Sequence, residues 1–354
     1  MIGRIVLIVL AVLVGGLLIL VVALLAVSPG KSKVSEKIRV NINGVEQGMF
    51  IQSKDATKPV LLFLHGGPGM PEYFLTRRYP TGLEDLFTVC WWEMRGAGLS
   101  YRADISPETL TLEQLIADAI EVTQYLRKRF GQEKIYLLGH SGGSFIGIQA
   151  AARAPELYHA YIGMAQMAYQ MQSETAAYQY MLGQYRELGN RKMVRKLEEA
   201  PFTLTDPLPR AYLVLRDPAM HGVGVGTTHD MKSVITGIFF PVMRCPEYTF
   251  REKLNIWRGK AFSQGLLRDR MFMTDLGAVV PELRLPVYFV HGTYDYTVTY
   301  NETKAYFEKL RAPLKGFYTF AQSAHSPAFE EPKKMLQILR EDVLAGANRL
   351  ADAR

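Results

Sequence analysis

The sequence predicts an α/β fold in which a mostly parallel sheet carries helices on both faces and an inserted helical cap. Two observations predict it. Short apolar runs such as PVLLFLHGG and KIYLLGH alternate with helical patterns, the order expected of parallel strands joined by crossover helices. This alternation stops near Met164 and resumes with the run PVYFVHG, and the residues between are helical stretches rich in Met, Tyr and Arg. The cap is therefore inserted into a discontinuous sheet domain.

The elements follow in order along the chain. Two short strands at 38–42 and 48–52 flank the turn NGVEQ, and PVLLFLHGG and LFTVCWWE are buried strands. Apolar residues then recur at helical spacing, with Thr111 placed to cap the helix and Gly131 to end it. The expected segments are an anchor at 1–30, the first part of the core at 31–165, a cap at 166–281 and the second part of the core at 282–354.

Composition excludes several classes of protein. The chain has 354 residues, of which 48% are hydrophobic, so a folded body is expected rather than disorder. The net charge is +7, yet basic residues are scattered among acidic ones without a nucleic-acid-binding motif. Cys90 and Cys245 stand in unrelated contexts, which argues against a disulfide framework.

The N-terminus predicts a membrane anchor. Residues 5–27 carry no charge and, as a helix, are long enough to cross a hydrocarbon core of about 30 Å. A signal peptide has a shorter apolar region, of about 7 to 15 residues, and a clear cleavage site. The basic residues that follow favour a cytoplasmic domain, but many single N-terminal anchors run the other way, so the side of the membrane stays open.

The stretch YLLGHSGGSF, residues 136–145, contains the pattern G-x-S-x-G between an apolar strand and a helix. This context is typical of a nucleophile elbow, where a serine in a strained turn projects its hydroxyl from the edge of the sheet. The serine is Ser141, and Gly139 and Gly143 let strand and helix approach closely. Ser144 is the alternative nucleophile, but it falls inside the helix.

A serine nucleophile needs a histidine base and an acid that orients it, in the chain order Ser, acid, His. Asp295 follows a strand in VHGTYDYTV, and His325 lies in the loop FAQSAHSPAFEEP beyond the next strand. We therefore predict that Ser141, Asp295 and His325 form a catalytic triad. His140 adjoins the nucleophile, but its side chain is expected to point away from the hydroxyl. No metal ligand set and no cofactor are predicted.

Acyl transfer also needs hydrogen-bond donors for the oxyanion of the tetrahedral intermediate. The backbone N–H of Gly142, directly after the nucleophile, is one candidate. The other is expected in the glycine-rich loop HGGPGM, where Gly67 is preferred and Gly66 is the alternative.

These motifs resemble the α/β-hydrolase superfamily and, within it, the proline iminopeptidase-like branch. The resemblance rests on HGGPG at 65–69, WEMRGAGLS at 92–100, GHSGG at 139–143, Asp295 and His325. It implies serine hydrolysis and, in that branch, cap carboxylates that bind the amino terminus of the substrate. Available cap carboxylates are Glu174, Glu187, Glu198, Glu199, Glu247 and Glu252.

The chain departs from that branch at two places. Proline iminopeptidases usually have Trp after the nucleophile, where this chain has Gly142, and Asp-Gln-Arg-Gly after the fourth strand, where it has Glu-Met-Arg-Gly at 93–96. The first change alters the wall of the acyl pocket. Glu93 and Arg95 are expected to form a buried structural pair under the oxyanion loop.

The sequence thus predicts a membrane-anchored serine hydrolase that cleaves an ester or amide bond, with aminopeptidase activity of the proline iminopeptidase type as one possibility. The alternatives are a carboxylesterase or lipid hydrolase, for which the Met and Tyr residues of MAQMAYQMQ and YQYMLGQY could line the pocket, and a non-enzymatic binding protein on the same fold. The expected partners are a small-molecule or short-peptide substrate and the membrane. Nucleic acid is not among them.

Overall fold

The computed structural model describes residues 33–353 and contains one eight-stranded sheet. Its strands are β1 (Val34–Ile42), β2 (Val45–Ser53), β3 (Val60–Leu64), β4 (Thr88–Trp92), β5 (Ile135–His140), β6 (Tyr158–Met164), β7 (Val287–Gly292) and β8 (Lys315–Phe320). They lie in the order β1-β2-β4-β3-β5-β6-β7-β8. From β4 to β8 neighbouring strands are parallel, whereas β2 is antiparallel to both β1 and β4.

The α-helices alternate with these strands and also fill the connection from β6 to β7. They are α1 (Leu112–Phe130), α2 (Gly142–Arg153), α3 (Gln170–Glu187), α4 (Arg191–Glu198), α5 (Arg210–Gly222), α6 (Phe240–Arg244), α7 (Phe250–Met273), α8 (Leu276–Val279), α9 (Tyr300–Lys309), α10 (Pro327–Glu330) and α11 (Pro332–Ile338). Helices α3 to α8 form the cap, together with a π-helical turn at Ile235–Phe239. The sequence-based limits at 166 and 281 fall in the connections on either side of these helices.

Both faces of the sheet are covered. Along β3, Leu62 and Leu64 pack into one hydrophobic cluster, whereas Leu61 and Phe63 pack into the cluster on the opposite face. Alternate residues of a strand point to opposite faces, so a strand covered on both sides is apolar throughout. This explains the continuous apolar runs and confirms the expected α/β class.

The hairpin of β1 and β2 is longer than the sequence predicts. Asn43 and Gly44 alone form the turn, with φ values of 47° and 79°, and Ile42 pairs directly with Val45. Positive φ at both central residues suits the right-handed twist of the flanking strands, and Asn-Gly adopts it readily. The polar residues after Gly44 fit the strand because Glu46 is exposed and the buried Gln47 donates to Asp118 and accepts from Trp92.

Met164 and Met167 of MAQMAYQMQ pack into the clusters on the two faces of the sheet, whereas the rest of the Met- and Tyr-rich sequence mainly packs within the cap. Met171, Met181 and Tyr185 belong to a separate cluster with Leu197 and Tyr212 from α4 and α5. Their main role is therefore to hold the cap helices together.

The predicted pair of Glu93 and Arg95 is wrong. Arg95 forms a buried salt bridge with Asp118 on α1, with 2.6 Å between Nε and Oδ2. Glu93 instead accepts hydrogen bonds from the Leu99 backbone N–H, at 2.6 Å, and from the Tyr248 hydroxyl. Desolvation raises the pKa of Glu93 to about 7, as expected for a buried carboxyl whose hydrogen-bond donors are neutral.

No helix within residues 33–353 has both the length and the hydropathy needed to span a bilayer. The anchor predicted at 1–30 lies outside the described residues, which exclude 1–32 and Arg354.

Candidate active site

Ser141 occupies the turn between β5 and α2. Its φ is 53° and its ψ is −121°, a backbone conformation that side-chain-bearing residues rarely adopt. The backbone N–H of Ser141 donates to Met164 O on β6 at 3.0 Å, which helps to hold the turn in place. A single strained serine between a strand and a helix is the geometry expected of a nucleophile elbow.

The glycines on either side of Ser141 are required by close backbone contacts. A Cβ on Gly139 would lie 2.6 Å from Gly143 O, and a Cβ on Gly143 would lie 2.2 Å from Leu64 O. Neither contact can be relieved by a rotamer change, because both partners are backbone atoms. The expected reason for glycine at these two positions is therefore confirmed.

Asp295 and His325 form a buried hydrogen-bonded pair. Asp295 Oδ2 lies 2.8 Å from His325 Nδ1, while Oδ1 accepts the backbone N–H groups of Thr297 and Val298. Burial alone would raise the pKa of Asp295, but the charge of His325 and hydrogen bonds from His291 and His325 hold that pKa well below its usual range. Asp295 is therefore ionised and fixes the orientation of the imidazole.

The side chains of Ser141 and His325 line the same cavity. Because Nδ1 of His325 is occupied by Asp295, Nε2 is the nitrogen that remains for a reacting proton. Within residues 33–353 no hydrogen bond joins Ser141 Oγ to that nitrogen. Such bonds are often long in unliganded enzymes and shorten when substrate binds. Burial lowers the pKa of His325 although Asp295 opposes the shift, so the imidazole is neutral near pH 7.

Gly67 and Gly142 lie close together beside Ser141. A Cβ on Gly142 would lie 2.7 Å from Gly67 O, and Gly67 itself has a φ of 123°. The alternative donor, the Gly66 N–H, is already bound to Glu72 Oε1 at 2.5 Å. Gly67 therefore remains the better candidate. The same contact explains why this chain has glycine at 142 where proline iminopeptidases usually have tryptophan. A tryptophan at 142 would collide with the loop that contains Gly67 unless the loop moved.

A buried pair of Glu72 and His140 supports the site, and the sequence analysis did not identify it. Glu72 Oε2 lies 2.8 Å from His140 Nδ1, and His140 Nε2 lies 2.7 Å from the backbone oxygen of His325. Both nitrogens of His140 are thus occupied, and neither is left for Ser141. Burial disfavours the charged form of both side chains. The attraction and hydrogen bond between them are stronger than this effect, so the pKa of Glu72 is lowered and the pKa of His140 is raised.

Replacing Glu72 with glutamine should lower the free energy of unfolding by about 3 kcal/mol, because the buried imidazolium of His140 loses its charged partner. The decrease in unfolding free energy should reach its full size between pH 4.5 and 6.5, the ordinary pKa values of a glutamate and a histidine. It should shrink as the pH falls through the lowered pKa of Glu72 or rises through the raised pKa of His140. Urea denaturation at a series of pH values measures it.

Glu113 provides the matched control. It pairs with Arg153 at 2.6 Å, but 73% of its side chain is exposed. Replacing Glu113 with glutamine should therefore cost less than about 1 kcal/mol. Equal losses for the two variants would contradict a structural role for the buried pair.

The cavity beside Ser141 has two lobes, of about 150 and 110 Å³, between the core and the cap. The lobes share Gly67, Ser141, Arg216, Asp217, Gln264 and Thr297. Arg216 and Asp217 lie on α5, and Lys260 and Arg268 on α7 add positive charge to one lobe each. The cavity thus presents both signs of charge to a ligand.

The cap carboxylates proposed from the sequence lie in different environments. Glu174 is fully buried behind the cavity wall, where Arg216 binds both its oxygens. Glu187, Glu198 and Glu199 are exposed on the cap surface. The last two line neither lobe: the carboxylate of Glu247 pairs with Arg77, and that of Glu252 pairs with Lys37 of β1. Asp217, which the sequence analysis did not consider, is the cap carboxylate that lines both lobes.

Comparison with known proteins agrees with this architecture. Residues 59–332 match the family model described as alpha/beta hydrolase fold. The chain is 33% identical over 307 residues to a Bacillus subtilis (strain 168) protein named "Probable aminopeptidase YbaC", covering 86% of this chain and 95% of that protein.

Solved structures with a similar fold include two hydrolase-related proteins. The 2-hydroxy-6-oxo-6-phenylhexa-2,4-dienoate hydrolase of Rhodococcus sp. strain RHA1 has a TM-score of 0.58 at 17% identity, covering 88% of this chain and 99% of that chain. A proline iminopeptidase-related protein of Thermus thermophilus has a TM-score of 0.55 at 18% identity, with the same coverage. At these identities the likeness concerns the fold alone.

Proposed function

Because the chain belongs to the alpha/beta hydrolase family, we propose that it is a serine hydrolase that cleaves ester or amide bonds through an acyl-enzyme. The observation that carries the proposal is the arrangement at one cavity of Ser141 in a strained turn, His325, and Asp295 bound to the far nitrogen of that histidine. A non-enzymatic binding protein would have no need for these three groups together.

The reaction follows from these positions. His325 Nε2 accepts the hydroxyl proton as Ser141 Oγ attacks the substrate carbonyl, and Asp295 stabilises the imidazolium. The N–H groups of Gly67 and Gly142 bind the resulting oxyanion. The imidazolium then gives its proton to the leaving amine or alcohol, which departs and leaves an ester on Ser141. Water, deprotonated by His325, attacks that ester and releases the acid and the free serine.

Within this class, we place aminopeptidase activity on short peptides first. Its support is the similarity to a probable aminopeptidase and the polarity of the cavity. Gln170 lines the lobe that also contains Ser141 and Asp217, and among residues 33–353 its Oε1 has no hydrogen-bond partner. The Asp217 carboxylate lies 3.1 Å from Arg216 Nη1 and 3.7 Å from Lys260 Nζ, so a substrate ammonium would compete with these two cations for it. Arg268, which lines the same lobe, suits the carboxylate at the other end of a short peptide.

A carboxylesterase is the second candidate. Apolar side chains, among them Met70, Leu75, Met220 and Ile238, line one wall of the larger lobe and suit an uncharged acyl group. A panel of aminoacyl amides, dipeptides and p-nitrophenyl esters of increasing chain length, with Ser141→Ala as control, distinguishes the two. The aminopeptidase proposal expects the highest kcat/KM for substrates with a free amino group. Preference for N-acetylated substrates or long acyl esters would reject it.

Asp217→Asn should raise KM for a substrate with a free amino group about tenfold or more, because a hydrogen bond to a charged group contributes about 1.5 to 3 kcal/mol. The KM for an uncharged ester should change little. Glu187→Gln is the matched control, since Glu187 is an exposed cap carboxylate outside the cavity. Steady-state kinetics on both substrates measures the two changes in KM. An equal change in KM for the two substrates would show that Asp217 does not recognise the amino group.

We also propose that residues 1–30 anchor the protein in a membrane. The support is the uncharged apolar sequence at 5–27. Alkaline carbonate extraction of membranes should leave the full chain in the pellet. Release into the supernatant would argue against an integral anchor.

A further inference from the structure

Three large apolar side chains are exposed together on the cap. Ile235, Phe239 and Phe240, at the π-helical turn and the start of α6, have exposed fractions of 61%, 40% and 40%. The ring of Phe239 lies 5.7 Å from that of Phe240 and 5.7 Å from that of Trp257, measured between centroids. These three exposed residues form what we call the apolar patch. Contiguous exposed apolar surface of this kind commonly marks an interaction site.

The apolar patch lies close to the part of β1 where the described chain begins. Arg78 Nη1 donates to the backbone oxygen of Thr236, inside the π-helical turn, at 3.3 Å. The neighbouring Arg77 pairs with Glu247, three residues beyond α6, and Lys37 of β1 donates to the backbone oxygen of that glutamate at 2.9 Å. A short series of contacts thus connects the patch to β1.

The short link between residues 5–27 and β1 keeps this side of the domain near a bilayer that holds residues 5–27. Lys37 is only ten positions beyond Val27, the end of that apolar segment. An extended chain covers at most about 3.6 Å per residue, so Lys37 must stay within about 36 Å of the membrane surface. This side of the domain is therefore tethered near the bilayer.

The charges around the apolar patch are mostly positive. Arg244 lies over the ring of Phe240, 5.4 Å from its centroid, and the nearby carboxylate of Glu247 is already paired with Arg77. The exposed charged residues on this side include one carboxylate, Asp230, which accepts a hydrogen bond from Tyr79, and the basic residues Lys33, Arg77, Arg78, Lys232 and Arg244. Apolar side chains surrounded by cations suit a membrane surface that contains anionic lipid. In a symmetric pairing of two copies, the same cations would face one another.

From these observations we infer that the apolar patch docks on the surface of an anionic lipid bilayer, so that the hydrolase domain rests on the membrane in one orientation. The inference goes beyond hydrolysis and rests on the proposed anchor. It also concerns the site, because Ile238, between two patch residues, lines the same lobe as Ser141 and His325. One wall of that lobe therefore lies directly behind the docked segment.

The test places an environment-sensitive fluorophore on the full chain at Phe239→Cys. Cys90 and Cys245 are both buried and are replaced by alanine to leave one thiol. The matched control is Leu350→Cys, because Leu350 is 37% exposed and Asp352, two residues on, bonds to β8 at the opposite edge of the sheet. Each labelled protein is reconstituted into nanodiscs of phosphatidylcholine with phosphatidylserine, with and without lipid that carries a quencher in its acyl chain.

Docking predicts a blue-shifted emission at position 239 that the quencher lipid largely abolishes, with neither effect at position 350. Replacing Ile235 and Phe240 with aspartate should restore the emission of a label in water at position 239. A label at 239 that emits as in water and is not quenched would overturn the inference. The inference would also be overturned if the label at 239 showed the same blue shift in detergent at high protein concentration as in nanodiscs. That result would indicate that a second copy of the protein covers the patch. No substrate is needed, so the outcome is independent of the proposed catalysis.

Discussion

Replacing Ser141 with alanine should lower kcat by about 10⁴-fold or more, and leave KM within a few-fold of its original value. Under the proposed mechanism, removing the hydroxyl removes the atom that forms the acyl-enzyme, whereas the cavity and the proposed oxyanion donors stay in place. What activity remains should come from binding and oxyanion stabilisation alone. Steady-state kinetics on the best substrate of the panel, with the fold checked by circular dichroism, measures the effect.

Ser144→Ala is the control for this experiment. Ser144 Oγ donates to Ser141 O at 2.5 Å and accepts from the Met167 backbone N–H at 2.9 Å, both buried contacts. Its hydroxyl is therefore occupied in tying the elbow to the start of the cap. Ser144→Ala should cost about 1 kcal/mol of stability and keep kcat within about tenfold. If Ser144→Ala were inactive and Ser141→Ala active, the nucleophile would be Ser144.

Asp295→Asn should lower kcat by about 10⁴-fold with little loss of fold. An asparagine can keep a hydrogen bond to His325 Nδ1, but it no longer stabilises the imidazolium that forms during attack. It also allows the tautomer in which Nε2 carries the proton and cannot accept one.

The pH profile gives a second check on this pair. Activity requires a neutral His325, whose pKa is lowered by burial, so the acidic limb of kcat/KM should lie below pH 6.5. Because Asp295 opposes that shift, Asp295→Asn should move the limb to still lower pH. A limb above pH 6.5, or one that moves upward in the variant, would contradict the assignment of His325 as the base.

The sequence predicts most of the sheet because buried parallel strands read as apolar runs. The strand it misses is β6, whose sequence YHAYIGM mixes aromatic, histidine and glycine residues with a single β-branched side chain. That strand is buried between β5 and β7, and its tyrosine hydroxyls are bonded inside the protein. The Tyr158 hydroxyl, for example, lies 3.0 Å from Thr123 Oγ1, 35 residues earlier in the chain. A run of apolar residues reveals a buried strand in the sequence. A buried strand with polar side chains is not revealed in this way, because the partners of those side chains lie elsewhere in the chain.

The same limit applies to the site. The elbow was predictable because its strain, its glycines and its flanking elements are all local in sequence. Glu72 and His140 are 68 residues apart, and Arg95 and Asp118 are 23 apart, so their partners depend on how strands and helices come together. Asp217 was missed because an acidic residue on a cap helix is usually a solvated surface charge, and only the placement of α5 against the core sets it beside Ser141.

Labelling with a fluorophosphonate tests the central claim most directly. The reagent should phosphonylate Ser141 Oγ with loss of fluoride, and mass spectrometry of the digested protein should locate one modification on the peptide that contains residue 141. His325→Ala should react far more slowly because the hydroxyl proton then has no base. Asp295→Asn should also react far more slowly, because it allows the tautomer of His325 whose Nε2 cannot accept that proton. A folded protein that stays unmodified, or that carries its modification at another residue, would contradict the account.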